Sequence, residues 1–108
     1  MEMLNKVELQ GIVGSVRIHE VADREHARLS FVTIREYKDS EGNPVMENQW
    51  HNVIAWSGEC QGIDLATINK GDRLRIKGTI RYTDYINSSG IERTITEIHA
   101  YKISRIKA

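Results

Sequence analysis

An all-β fold of five strands, with one short helix between the third and fourth, is what the sequence predicts, and three observations carry it. Val, Ile and Thr recur in alternating runs that fit half-buried strands. Short polar stretches rich in Gly, Asn, Asp and Ser separate those runs and read as turns. One interval, Gly58 to Gly71, breaks the alternation and carries helical spacing instead.

The first strand spans about Met3 to Ile18. Val7 and Leu9 alternate in one phase and Ile12, Val16 and Ile18 in the other, with Gly11 and Gly14 where the phase changes. Glycine inside a strand marks a bulge or bend, so this strand is expected to be long and bent. His19 to Glu25 reads as a charged loop. The second strand, about His26 to Lys38, puts Ala27, Leu29, Phe31 and Thr33 on one face. Asp39-Ser40-Glu41-Gly42-Asn43-Pro44 is a dense turn signal, so the third strand, about Val45 to Ser57, should pair antiparallel with the second. After it, Ile63, Leu65, Ala66 and Ile68 fit a helix of about two turns, with Gly71 placed as its C-cap. The fourth strand, about Asp72 to Asn87, sets Leu74, Ile76, Gly78, Ile80 and Tyr82 against Arg73, Arg75, Lys77, Thr79, Arg81, Thr83 and Tyr85. Asn87-Ser88-Ser89-Gly90 is a second hairpin signal, and the fifth strand, about Ile91 to Ile106, alternates less cleanly, as a bulged strand would. The order β-β-β-α-β-β with a Gly-bent first strand suggests a five-stranded OB-fold barrel occupying 1–108 as one domain.

Composition bounds the function. The 108 residues are 40% hydrophobic and 28% charged, ordinary for a globular domain, and 15 basic residues cancel 15 acidic ones. No global field draws the chain to a polyanion, so any such site must arise from local clustering. A single cysteine, Cys60, excludes an intramolecular disulfide and points to a reducing compartment. No apolar run approaches the roughly 18 residues of a membrane span, and Met1 to Lys6 does not resemble a signal peptide. A soluble cytoplasmic protein with no membrane partner is the expectation.

The chemistry gathers around Trp50-His51-Asn52-Val53-Ile54-Ala55-Trp56. Strand alternation puts Trp50, Asn52, Ile54 and Trp56 on one face and His51, Val53 and Ala55 on the other. The tryptophan face is either a core wall or a stacking platform. Val53 and Ala55 already supply core residues opposite, which favours the platform. Tyr37 and Tyr85 end neighbouring strands and can join it, with Arg35 and Lys38 flanking Tyr37. Aromatics beside a basic track are what sequence-tolerant single-strand binding requires, because every base has a π-face. Arg73, Arg75, Lys77 and Arg81 form such a track on one strand face, although a plain solvated face has the same pattern. Catalysis finds no support. His19, Glu20, Asp23, Glu25 and His26 match no metal-ligand spacing, Cys60 and His51 lack an orienting third group, and there is no P-loop, GxGxxG or GxSxG. No metal or cofactor is expected. Two other classes remain open: an adaptor that uses the barrel for protein contacts, and a metal-dependent nuclease-like domain.

Several segments resemble one family in order along nearly the whole chain: Asn5-Lys6-Val7-Glu8-Leu9-Gln10-Gly11, then Ser30-Phe31-Val32-Thr33 with Tyr37-Lys38, then the Trp50–Trp56 segment, then Lys70-Gly71 with Ile76-Lys77-Gly78-Thr79-Ile80-Arg81, and finally Ser89-Gly90 with Arg93-Thr94-Ile95-Thr96-Glu97-Ile98. They resemble bacterial single-stranded DNA-binding proteins (SSB). The resemblance implies an OB-fold subunit that binds and protects single-stranded DNA in replication, recombination or repair. It also implies a homotetramer, with a dimer as the alternative, working at the bacterial nucleoid. By position, Tyr37, Trp50, Trp56 and Tyr85 correspond to the family's stacking aromatics, and Lys38, Lys70, Arg81 and Arg93 to basic phosphate contacts. His51 corresponds to a subunit-interface position. Some positions depart from the pattern. Asn52 stands where Arg is common, Gly58-Glu59 near a usual Gly-Lys, Thr83-Asp84 in place of a basic pair, and Tyr in place of Trp at 37 and 85. Fewer cations imply a shallower salt dependence. The sequence stops at Ile106-Lys107-Ala108, without the family's linker and acidic tip, so tip-dependent partners are not expected.

Overall fold

In the computed structural model, which describes residues 2–106, a barrel closes in the order β1-β2-β3-β5-β4. Expectations that fall on Met1 or on Lys107-Ala108 lie outside the described residues. The elements are β1 (Val7–Val21), β2 (Arg24–Lys38), β3 (Pro44–Trp56), a 3-10 turn (Leu65–Thr67), β4 (Arg73–Ile86) and β5 (Glu92–Arg105). Five strands closed on themselves, with the helical turn between the third and fourth, match the expected OB-fold barrel.

The two phases of β1 have one cause. Its register against β2 slips between Val13 and Ser15, leaving Gly14 as the bulged residue. Val13 faces inward before the slip, and Val16, opposite Leu29, turns inward after it. The change lies at Gly14 alone, and Ile12 faces outward on the far side from Val13. The first half of β1 pairs with β4 and the second half with β2, so one long strand serves both walls. Phe31, Leu74, Ile76, Ile103, Val13 and Val53 are fully buried and fill the barrel.

Two expectations are corrected. The charged loop His19 to Glu25 is a hairpin instead: β1 runs to Val21, β2 starts at Arg24, and Ala22 and Asp23 turn the chain with φ of 50° and 65°. A two-residue hairpin turn of this kind needs positive φ at both positions and normally announces itself as Asn-Gly or Asp-Gly, so Ala-Asp hid it. The two-turn helix ending at Gly71 is only the 3-10 turn. Asp64 caps it, accepting from the Ala66 amide at 3.1 Å, and the chain is already extended at Ile68. Leu65 and Ile68 both reach the core from this turn, which is the apolar spacing that suggested a longer helix. Gly71 instead donates its amide to the Val13 carbonyl at 2.8 Å, fastening the loop to β1.

Beyond the closed section both hairpins project as two-stranded arms. β1 covers β2 only up to Val32, and β5 meets β3 only at Val53, Ile54 and Ala55, so the rest of the β2–β3 hairpin extends freely. At its tip the Asp39 carboxylate accepts from the Asn43 and Glu41 amides at 2.9 Å each, and these bonds hold its pKa below the usual carboxylate value. The β4–β5 hairpin likewise extends past Gly78, where a β5 bulge shifts the register.

Gly78 allows that bulge. A Cβ there would meet the His99 carbonyl carbon at 2.9 Å and the Ala100 Cα at 3.1 Å, both backbone atoms that cannot swing away. Gly78→Ala should therefore destabilise the barrel by about 1–3 kcal/mol, read as a lower urea midpoint; an unchanged midpoint would show that the bulge relaxes freely.

Candidate nucleic-acid interface

The β2–β3 register builds the tryptophan face pair by pair: Val32 opposite Trp50, Ser30 opposite Asn52, Arg28 opposite Ile54 and His26 opposite Trp56. β1 extends the face, with Ser15 beside Ser30 and Arg17 beside Arg28. The two serine hydroxyls bond each other at 2.7 Å. Val53 and Ala55 point the other way into the core, as expected from alternation.

Trp50 stands 61% exposed at one end of this face. Its indole lies across the β1 bulge, with Cη2 only 2.8 Å from where a Cβ on Gly14 would sit. The missing side chain of Gly14 thus makes room for the ring. Trp56, at the other end and about 20 Å away along the strand, is half-buried. The His26 ring lies 4.5 Å from it at a 34° tilt, and the Arg24 guanidinium carbon is 5.0 Å from its ring centre. His19 stacks on His26 at 5.2 Å. Burial, and after it the charges of Arg28 and His19, hold the His26 imidazole below its usual pKa, so this stack is built on a neutral ring at pH 7.

The β4–β5 arm bends over the middle of the face. Glu97 on β5 is only 5% exposed, and its carboxylate accepts from Arg28 Nη1 at 3.1 Å and from Thr83 Oγ1 at 3.0 Å. His99 Nε2 lies 3.6 Å from the same carboxylate. This contact buries Ile54 although it belongs to the tryptophan face. A cleft of about 180 Å³ remains between arm and sheet, with Asn52 and Ser30 on its floor and Arg17, Arg28 and Ile95 around them. Arg17 has no carboxylate partner among the described residues.

Most of the residues singled out from the sequence separate into three groups, with Lys70 and His51 apart from them. Trp50 and Trp56 share the face, and Arg81, Tyr85 and Arg93 follow the Glu97 side of the arm, Arg81 opposite Glu97 and Tyr85 opposite Arg93. Arg81 lines one recess with Trp56. Tyr37, with Arg35 4.9 Å from its ring, lies on the projecting β2–β3 arm on the opposite side of the strand from Val32 and Trp50, while Lys38 returns to the tryptophan side at the far end. Arg73, Arg75 and Lys77 sit apart, on the stretch of β4 bounded by β1 and β5, a different wall of the barrel. Arg75 there bonds Gln10 at 3.1 Å and lies 3.9 Å from Glu8. Lys70 is in the loop before β4. His51, on the core side of β3, bonds Thr33 Oγ1 through Nε2 at 2.9 Å, and burial lowers its pKa.

Sequence reasoning missed Ser15, Arg17, Arg28 and Ser30. Arg28 and Ser30 were readable: if Ala27, Leu29 and Phe31 face inward, the residues between them face the tryptophans' side. Ser15 and Arg17 needed the position of the bulge. For the catalytic alternatives, burial pushes the Cys60 thiol up to about 11, so it is protonated at neutral pH. Among the described residues no group of three or more His, Cys, Asp or Glu side chains is arranged to hold a metal ion, and no helix is long and apolar enough to cross a membrane.

Comparison with known proteins agrees with the barrel. A Plasmodium falciparum SSB solved in complex with ssDNA superposes with a TM-score of 0.82 over 99% of this chain and 98% of that one; at 18% identity this likeness speaks to the fold alone. The chain is 35% identical over 99 residues to the single-stranded DNA-binding protein of Bacteroides thetaiotaomicron, covering 88% of this chain and 61% of that protein. It is 30% identical over 107 residues to that of Xanthomonas campestris, covering 95% and 60%. The chain thus spans about three-fifths of the length of these relatives. The profile of the single-strand binding protein family matches residues 4–106, and the chain belongs to that family.

Proposed function

We propose that residues 1–108 act as one unit that binds single-stranded DNA, largely without regard to sequence and without catalysis. Bases stack on Trp50 and Trp56, and phosphates are met by cations flanking the cleft. The observation that carries this reading is the exposed Trp50 indole at the end of a cleft lined by Arg17, Arg28 and Asn52, in a chain of this family. Tyr85, Arg81 and Arg93 on the overhanging arm extend the same surface, and Lys38 continues it at the far end of the other arm; Tyr37 and Arg35, on the opposite side of that arm, and Lys70, in the loop before β4, contribute as the strand leaves that surface. Arg73, Arg75 and Lys77 contribute only if the strand passes round the barrel, as wrapping would require. The setting proposed is replication, recombination or repair in the bacterial cytoplasm, at the nucleoid, supported by the bacterial relatives.

Oligo-dT should quench the intrinsic tryptophan fluorescence at low salt, and salt should restore it, with log K falling by about 0.7 per phosphate contact for each unit of log salt. Trp50→Ala should weaken binding by about 1–3 kcal/mol, the range general to a stacked base in single-strand binders, a class that includes this family. No quenching at low salt contradicts the proposal, whereas wild-type affinity in Trp50→Ala removes Trp50 from the site.

We further propose a homotetramer, with a dimer as the alternative, in which His51 lies at the subunit contact. Its half-buried ring on the core side of β3 supports that placement. Sedimentation equilibrium that returns only the protomer mass across the accessible concentration range contradicts it.

A further inference from the structure

The recess beside Trp56, about 400 Å³ in volume, is lined by Arg24, Glu59, Arg81, His99 and Tyr101 as well as the indole. Two of these side chains are engaged with each other. Arg24 Nη2 lies 3.1 Å from Glu59 Oε1, and the same guanidinium stands 5.0 Å from the Trp56 ring centre. The backbone fixes both partners. Arg24 is the first residue after the tight Ala22-Asp23 turn. Glu59 is folded back to the indole by a turn in which its own amide and that of Cys60 both donate to the Trp56 carbonyl, at 3.1 and 2.9 Å. Arg81 across the recess has no carboxylate partner among the described residues, because the oxygens of neighbouring Glu97 go to Arg28 and Thr83. His99 also lines the recess, its Nε2 buried and turned to the Glu97 carboxylate at 3.6 Å.

We propose that this recess seats one nucleotide of the bound strand, with its base against Trp56 and its phosphate between Arg24 and Arg81, and that Glu59 occupies Arg24 until that phosphate replaces it. The proposal rests on the single-strand binding reading above and adds to it a phosphate seat and an acidic gate. The chemistry suits the exchange: a carboxylate and a phosphate oxygen offer a guanidinium the same kind of acceptor. Both side chains of the pair are at least half exposed, at 50% and 64%, so the contact is a weak one that a phosphate can displace. The gate makes Arg24 a conditional cation, free for the strand only while Glu59 is displaced.

Fluorescence titrations with oligo-dT across a salt series test this in wild type, Glu59→Gln, Arg24→Gln and the double variant. Glu59→Gln should tighten binding about two- to fivefold at low salt, the strength of an exposed ion pair. It should also steepen the log K against log salt slope, because the Arg24–Glu59 pair that competes with the phosphate in wild type is itself weakened by salt. In the Arg24→Gln background the same substitution should change neither quantity. An equal gain in both backgrounds overturns the gate, since it would reflect net charge alone, and so does an unchanged affinity in Glu59→Gln. Either result beside normal quenching in wild type leaves the binding reading intact. Absence of quenching in every variant overturns both.

Discussion

The Glu97 carboxylate, buried beneath the β4–β5 arm, receives Arg28 from β2 and Thr83 from β4 at 3.1 and 3.0 Å, and the shape of the candidate site follows from that contact. A two-stranded ribbon beyond the barrel has little stability of its own in water. Fastened at Glu97, it becomes a wall over the sheet, with Ile54 buried under it and a cleft left between Ile95 and Asn52. The same contact neutralises Arg28, while Arg17 in the cleft and Arg81 beside Trp56 have no carboxylate partner among the described residues. One carboxylate therefore sets both the geometry of the groove and which charges within it are available.

This arrangement accounts for how a chain with no net charge can offer a polyanion a surface. Affinity for a single strand has two sources, stacking and phosphate neutralisation. The second depends on local and not total charge. On the tryptophan face two cations are already engaged, Arg28 by Glu97 and Arg24 by Glu59, and on a separate wall Arg75 is engaged by Gln10 and Glu8. In the proposed binding mode the stacking share is correspondingly larger, and the cations that act are those released by the proposed exchange or without a carboxylate partner among the described residues.

Much of the fold was legible because alternation is a local property. The five strands, both long hairpins and the inward set Leu29, Phe31, Val53, Leu74 and Ile76 follow from period two and from the turn signals at Asp39–Pro44 and Asn87–Gly90. What failed was not periodic. The Ala22-Asp23 turn takes positive φ without the residues that normally advertise it, and the stretch around Leu65 buries two side chains from a single 3-10 turn, which imitates an amphipathic helix. The site was legible in its aromatics and less so in its cations. The alternation of β4 put Arg73, Arg75, Lys77 and Arg81 on one face, but only the last lies where the arm leans over the sheet, and that bend is a tertiary fact held by Glu97. Arg17 was hidden for the same kind of reason, since its facing depends on a one-residue bulge at Gly14.

The claim that the strand lies in the groove between the arm and the tryptophan face is tested most directly by photo-crosslinking the protein to oligo-dT and mapping the attached peptides by mass spectrometry. Crosslinks are expected at Trp50 and Trp56, with Tyr85 from the overhanging arm as the next site. Crosslinks confined to the wall carrying Arg73, Arg75 and Lys77, with both tryptophan peptides unmodified, would contradict it.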